Sequence, residues 1–338
     1  MTTPPDTQVL VMGAGSIGCW LGGRLAAAGV PVALVGRPRM IDTLRRDGLH
    51  LTDADGGGLH LRPDQLRLYT QLPAGLAPSL VLLCVKSGAT AEAAAELGRL
   101  LPPGTPVASM QNGVRNPEVA QHAAPRLAVL AGMVPYNVAE VGPGHLHRGT
   151  PGALGIQRHP ALLPWVPIFA AAGLPLTLED DMPAVQWGKL LLNLNNAVNA
   201  LSGLPLRQQL LDRSLRNCTA ALVDEAAAVL ERAHIRLRMP AGLVPHRLAW
   251  LMRLPTPVFR LLAARQLRVD AQARSSMADD LLLGRPTEVD VIQGEVVRLA
   301  EEHGVAAPLN ERIVHLVRQW PRHPERMSGE ALREALGL

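Results

Sequence analysis

Gln8-Val9-Leu10-Val11-Met12-Gly13-Ala14-Gly15-Ser16-Ile17-Gly18 decides the fold. Residues 8–12 read as a short apolar strand, residues 19–28 as a helix and residues 31–35 as a second strand, with Gly29 as punctuation. The G-x-G-x-x-G turn thus lies between a strand and a helix, the context in which it binds a dinucleotide. Gly13 permits the tight turn, Gly15 lets the backbone approach a pyrophosphate, and Gly18 lets the helix pack close to the strand. The helix N-terminus then faces negative charge. Gly13, Ala14, Gly15, Ser16, Ile17 and Gly18 are the expected cofactor-binding turn, and a purely structural glycine turn is the alternative. The second strand runs into Val35-Gly36-Arg37-Pro38-Arg39, with no acid before Asp42. An NAD site places an acid there for the ribose hydroxyls, whereas a 2′-phosphate favours arginine. We therefore expect NADPH, with Arg37 as the main phosphate ligand and Arg39 as a second. Two solvated arginines at a helix start are the alternative.

The alternation of strands and helices continues outward. Residues 80–85 read as a strand ending at Lys86, 91–101 as a helix, and 106–110 as a strand ending at Gln111-Asn112-Gly113. Ligands bind beyond the carboxyl ends of such strands, where Lys86 and Asn112 fall. Asn-Gly is also a common turn pair. Residues 127–134, 153–156 and 174–178 read as further strands, and 142–149 as a loop or hairpin. His145 and His147 within it suit a strand edge; with no third ligand evident, no metal is expected. After about residue 180 strands give way to helices at 183–201, 213–234, 245–268, 288–303 and 308–320. The expected fold is α/β, an N-terminal Rossmann-type doubly wound sheet followed by an all-helical C-terminal domain. The boundary falls between 1–181 and 182–338.

Composition agrees. A chain of 338 residues suggests about two domains at roughly 150 residues each. Hydrophobic residues at 48% supply packed cores, and a net charge of +4 without charge runs gives no nucleic-acid footprint. Aromatics at 3% are too few for base-stacking platforms. Cys19, Cys84 and Cys218 are far apart and suit neither a disulfide scaffold nor a zinc site. No secretory signal is evident. The uncharged run 161–178 contains Pro164, Pro167, Gly173 and Pro175, so it reads as a short helix and a strand rather than a membrane span. A cytoplasmic location is expected, with no nucleic-acid or membrane partner; a homodimer stays open.

Two of the 33 basic residues are lysines, Lys86 and Lys189. Arginine stays protonated, while lysine gives up a proton where its site lowers the pKa. Lys189 sits in Trp187-Gly188-Lys189-Leu190-Leu191-Leu192-Asn193-Leu194-Asn195-Asn196-Ala197-Val198-Asn199, an apolar helix with four asparagines. At roughly 100° per residue, Lys189, Asn193 and Asn196 share one face, with Gln186 a turn earlier. That face suits a small polar substrate such as a keto acid; a structural amide network is the alternative. In a later segment, Ser275-Ser276-Met277 precedes Thr287-Glu288-Val289-Asp290, where Thr287 and Asp290 have capping-box spacing and Glu288 would favour the helix dipole.

These residues together resemble the 2-dehydropantoate 2-reductase (ketopantoate reductase) family. The resemblance runs from about Val9 to beyond Asp290. Its markers are Gly13-x-Gly15-x-x-Gly18, Val85-Lys86, Gln111-Asn112-Gly113, the Lys189 helix, Ser275-Ser276-Met277 and Thr287-Glu288-Val289-Asp290. It implies NADPH-dependent ketone reduction, with ketopantoate reduced to pantoate for pantothenate and coenzyme A biosynthesis, in a cleft between the domains. It casts Lys189 and Glu288 as catalytic, the first protonating the forming alkoxide and the second holding the substrate hydroxyl. Asn112, Asn193 and Ser276 would contact substrate or nicotinamide ribose, with Asn196 serving in place of a family asparagine at Ala197. Lys86 would lie near the cofactor. A further family asparagine is absent from Leu204-Pro205-Leu206-Arg207. Two other readings remain: a reductase of a different 2-keto acid on the same scaffold, and a non-catalytic NADP(H)-sensing protein.

Overall fold

Four-residue apolar runs become the middle strands of a parallel sheet. The computed structural model describes residues 8–53, 56–264, 267, 273–322 and 324–338. Its strands are β1 Val9–Met12, β2 Val32–Val35, β3 Leu49–Asp53, β4 Gly58–Leu61, β5 Arg67–Tyr69, β6 Leu80–Leu83, β7 Pro106–Ser109, β8 Ala128–Met133, β9 Val138–Gly142, β10 His145–Arg148, β11 Leu154–Gln157 and β12 Leu176–Glu179. Eight of them form one sheet in the order β12-β11-β8-β7-β6-β1-β2-β5. Every residue of β1, β2, β6 and β7 is buried, as a parallel strand covered on both faces requires. β1 pairs in parallel with both β2 and β6. The chain runs outward from β1 on one side and returns to continue through β6 and β7 on the other. This places the topological switch between β1 and β6, where the Gly13 turn and Lys86 both emerge.

A second sheet, β4-β3-β10-β9, contains strands for which residues 49–61 had given no expectation. Residues 142–149 resolve as the β9–β10 hairpin. His145 Nε2 and His147 Nδ1 each lie 3.0 Å from Thr52 Oγ1 on neighbouring β3. The run 161–178 becomes the helix Trp165–Ala171 followed by β12. No helix among the described residues is long and apolar enough to cross a membrane.

The chain divides into two compact units, one ending at Met182 and the other beginning at Pro183. Helices build the second: Met182–Asn193, Asn195–Ser202, Leu206–Leu211, Arg213–Arg232, Pro245–Arg253, Thr256–Leu262, Ser276–Leu282, Val289–Glu302, Pro308–Gln319 and Gly329–Leu336. Two expected helices are each split. The first breaks at Leu194. The second breaks before Pro255, whose ring disfavours helical backbone in the preceding residue; Leu254 is extended, with ψ 149°. The expected end of that helix, Arg268, lies outside the described residues.

A fully buried arginine fastens this broken segment. Arg216 donates to the carbonyls of Leu210 (2.9 Å), Met252 (2.9 Å) and Leu254 (2.7 Å), and its guanidinium lies 4.3 Å from the Phe259 ring centroid. Arg216→Met keeps the volume but orphans three carbonyls. We expect a loss of about 3 kcal/mol in denaturant unfolding, since each buried unpaired group costs roughly 1–3 kcal/mol. An unchanged midpoint would show that the carbonyls find other partners.

Candidate active site

In the sheet unit the glycines divide the work of the turn. Gly13 has φ +112°, and a Cβ there would lie 2.6 Å from the Val85 nitrogen, so the turn nests against the end of β6. A Cβ on Gly18 would collide with the Gly13 carbonyl oxygen. Around Gly15 nothing lies within 4 Å of an added Cβ. Gly15 caps the helix Ser16–Ala27 without a side-chain hydrogen bond, and the first turn holds no acid. Open space at an uncapped, acid-free helix N-terminus fits a pyrophosphate.

Beyond β2, Arg37 is exposed and stands at the N-cap of the helix Pro38–Asp47. Arg39, expected as a second phosphate ligand, pairs its guanidinium with Glu140 of β9 at 3.0 Å. For Arg37→Ala we expect the NADPH-over-NADH preference in Kd to fall about tenfold or more, the worth of a charge-assisted hydrogen bond. An unchanged preference would remove Arg37 from cofactor selection.

Lys86 is exposed three residues beyond the end of β6 and caps the short turn Ser87–Ala89. Asn112 follows β7 and is half-buried. Under both lies a buried set of polar side chains, Thr90, Ser109, Gln111 and Asn116, that sequence reasoning did not single out as site residues. Gln111 entered only as part of a motif. The members are 21 and 26 positions apart at two of their contacts, so local spacing carries no sign of them.

In the helical unit, Lys189 and Asn193 lie four apart on one helix, hence on one face. Lys189 is half-buried; enclosure of its ammonium lowers the pKa from 10.5 to about 8, and Glu288 pulls it partly back up. The structure therefore brings the two expected catalytic side chains into electrostatic range. Glu288 is the N-cap of Val289–Glu302 and makes no capping hydrogen bond with its side chain. The expected Thr287–Asp290 capping box does not form; Asp290 instead pairs with Arg318 at 2.7 Å.

A tertiary contact enters at Leu194, between the two helices. The Leu194 carbonyl accepts a 3.0 Å bond from the buried Gln293 amide, tying the Lys189 helix to the helix that begins after Glu288. Leu194 itself keeps helical dihedrals (φ −58°, ψ −26°), and its N–H bonds the Leu190 carbonyl at 3.1 Å. The four asparagines divide. Asn195 exchanges amide bonds with Gln209 (3.1 and 2.9 Å) and accepts from Thr219 at 2.9 Å. Asn199 donates to the Leu204 carbonyl and accepts from the Ser275 N–H, both at 2.9 Å. The side chains of Asn193 and Asn196 have no hydrogen bond among the described residues. Ser275 caps Ser276–Leu282 and donates to the Asn196 carbonyl at 3.2 Å, fastening half-buried Ser276 beside that residue. Beside Lys189, a Cβ on Gly188 would collide with the Arg238 carbonyl; the Arg238 N–H bonds the Ala184 carbonyl at 3.0 Å. Neither Gln293 nor Gly188 stood out as a positioning residue in the sequence.

The sequence model of the ketopantoate reductase PanE/ApbA family matches residues 9–161, and that of its C-terminal part matches residues 181–320. The chain belongs to this family. A 2-dehydropantoate 2-reductase of Halobacterium salinarum is 29% identical, over 92% of this chain and 98% of its own length. A PanE/ApbA family ketopantoate reductase from Ralstonia eutropha JMP134 superposes with a TM-score of 0.77 at 29% identity, covering 92% of this chain and 97% of that one. A D-mandelate dehydrogenase solved with NADH and anilino(oxo)acetate shares the fold, with a TM-score of 0.75 at 18% identity over 98% and 99% of the two chains. The ketopantoate reductase family is one of NAD(P)-dependent 2-keto acid reductases. Against the family pattern set out above, Ala197 is fully buried in the core of the helical unit, while Arg207 is exposed on the short helix Leu206–Leu211.

Proposed function

We propose that the chain reduces ketopantoate to pantoate with NADPH. The observation that carries this reading is Lys189. It is one of two lysines in the chain, and its ammonium is held at about pKa 8 by burial, opposed by Glu288. Such a group is charged at neutral pH yet close to releasing its proton, the condition for a general acid.

When bound, NADPH supplies the hydride. The turn at Gly13, Gly15 and Gly18 binds its pyrophosphate, and Arg37 binds the 2′-phosphate. Lys86 and Asn112 orient the nicotinamide end. Negative charge grows on the carbonyl oxygen as the carbonyl carbon is reduced; Lys189 Nζ stabilises it and then delivers a proton, leaving a neutral amine. Glu288 accepts a hydrogen bond from the substrate hydroxyl and keeps Lys189 protonated between turnovers. Asn193, Asn196 and Ser276 donate to the remaining substrate oxygens.

A bacterial strain lacking its own ketopantoate reductase tests the substrate. Carrying this chain, it grows without added pantoate; carrying Lys189→Ala, it does not. Failure of the wild-type chain to support growth while it accumulates as folded protein contradicts ketopantoate as the substrate.

A further inference from the structure

The buried polar set beneath Lys86 and Asn112 has its proton directions fully determined. The Val85 carbonyl can only accept, so the Gln111 atom 2.9 Å from it is the amide nitrogen. That nitrogen is also 2.7 Å from Thr90 Oγ1, so the hydroxyl accepts from Gln111. The hydroxyl's own proton then goes to Asn116 Oδ1 at 2.9 Å. The Asn116 nitrogen, left as donor, reaches the Asn112 carbonyl at 2.5 Å and Ser87 Oγ at 2.9 Å. Gln111 Oε1 accepts from Ser109 Oγ at 2.8 Å. Starting from the Asn112 carbonyl, which also only accepts, leads to the same assignment.

The two ends of this chain are informative. One is the carbonyl of the residue before Lys86, with the hydroxyl of the residue after it also engaged. The other is the carbonyl of Asn112 itself. The network therefore brackets the two polar residues expected at the carboxyl ends of β6 and β7. Thr90 is its pivot, because its hydroxyl is at once the acceptor for one amide and the donor to the other. A network with one permitted set of directions holds its members rigidly, since any amide flip sets two acceptors against each other.

We infer that Thr90, Gln111 and Asn116 are positioning residues that fix the separation and aim of Lys86 and Asn112. They act on the reaction through those two residues without touching a ligand. The inference rests on the reductase reading above.

Thr90→Val tests it, because the shape is kept and only the hydroxyl is lost. We expect kcat/KM for the keto acid to fall about tenfold or more, within the range that a small misplacement at a reacting centre produces. Thr90→Ser, which keeps the hydroxyl, restores it. In a Lys86→Ala/Asn112→Ala background, Thr90→Val has little further effect, since both side chains through which it acts are already gone. Full activity in Thr90→Val overturns the inference, and so does an undiminished effect of Thr90→Val in the Lys86→Ala/Asn112→Ala background, which would mark a general structural role. If Thr90→Val does not fold, Thr90→Ala carries the same expectations. Wild-type protein that binds NADPH without reducing any 2-keto acid contradicts the reductase reading alone. The same cycle is then read on the Kd for NADPH, where equal affinities in Thr90→Val and wild type overturn the network's role.

Discussion

Lys189→Ala lowers turnover by about 100- to 10,000-fold, the usual worth of a positioned general acid, and leaves NADPH affinity nearly unchanged. Among the other residues assigned to the substrate, Glu288 serves as a hydrogen-bond acceptor. Asn193 and Asn196 are amides, and Ser276 is a hydroxyl. The pH dependence follows from the same group. Its ammonium titrates at about 8. Below that pH it carries the proton the reaction consumes; above it the proton is gone. In wild type kcat/KM for the keto acid therefore falls as pH rises through about 8, and in Lys189→Ala that limb disappears. Lys189→Arg keeps a positive charge but does not release its proton at these pH values, so turnover stays low. The stability consequence has the opposite sign. A lysine pKa below its unfolded value means that folding disfavours the charged form, a burden present at neutral pH and relieved as pH rises. Lys189→Met accordingly melts no lower than wild type at pH 7. An alanine variant with undiminished turnover removes Lys189 from the chemistry.

The second large effect separates two glycines three positions apart. Gly18→Ala drives a methyl into the Gly13 carbonyl, whose residue is already locked at φ +112° against the end of β6. The turn has no flexible side chain to move aside. Both melting temperature and NADPH binding fall, and binding falls below detection. Gly15→Ala meets nothing within 4 Å in the protein, and its φ of −93° suits alanine. It therefore folds with an unchanged melting temperature, while the methyl occupies the space assigned to the pyrophosphate and weakens NADPH binding by about tenfold or more, the scale of a lost charge-assisted contact. Gly15→Ala that binds NADPH as well as wild type places the phosphates elsewhere.

What the sequence made legible was local. β1, β2, β6 and β7 are short apolar runs bounded by turn residues, and the glycine turn follows β1 without a gap. β3 and β4 were legible in principle. Leu49 and Leu51, then Leu59 and Leu61, alternate with polar partners, but each run is only four or five residues long. The division of the four asparagines was partly visible, because helical phase separates Asn195 and Asn199 from Lys189. Phase could not foresee the Gln293 amide, 99 positions away, that reaches the Leu194 carbonyl between the two helices. The Thr287–Asp290 spacing misled for a similar reason: Arg318, 28 positions on from Asp290, takes its carboxylate. The partner that β9 gives Arg39, Glu140, is likewise 101 positions away. Polar side chains are the hardest to assign from spacing, since a distant partner satisfies them as well as a near one.

The most direct measurement is nicotinamide absorbance during NADPH oxidation by the purified chain with ketopantoate, alongside NADH and a panel of small 2-keto acids. We expect ketopantoate with NADPH to give the highest kcat/KM of the set, with pantoate as product. Faster turnover of another 2-keto acid, or a preference for NADH, would contradict the assignment of substrate or cofactor, and no turnover in the presence of bound NADPH would contradict catalysis itself.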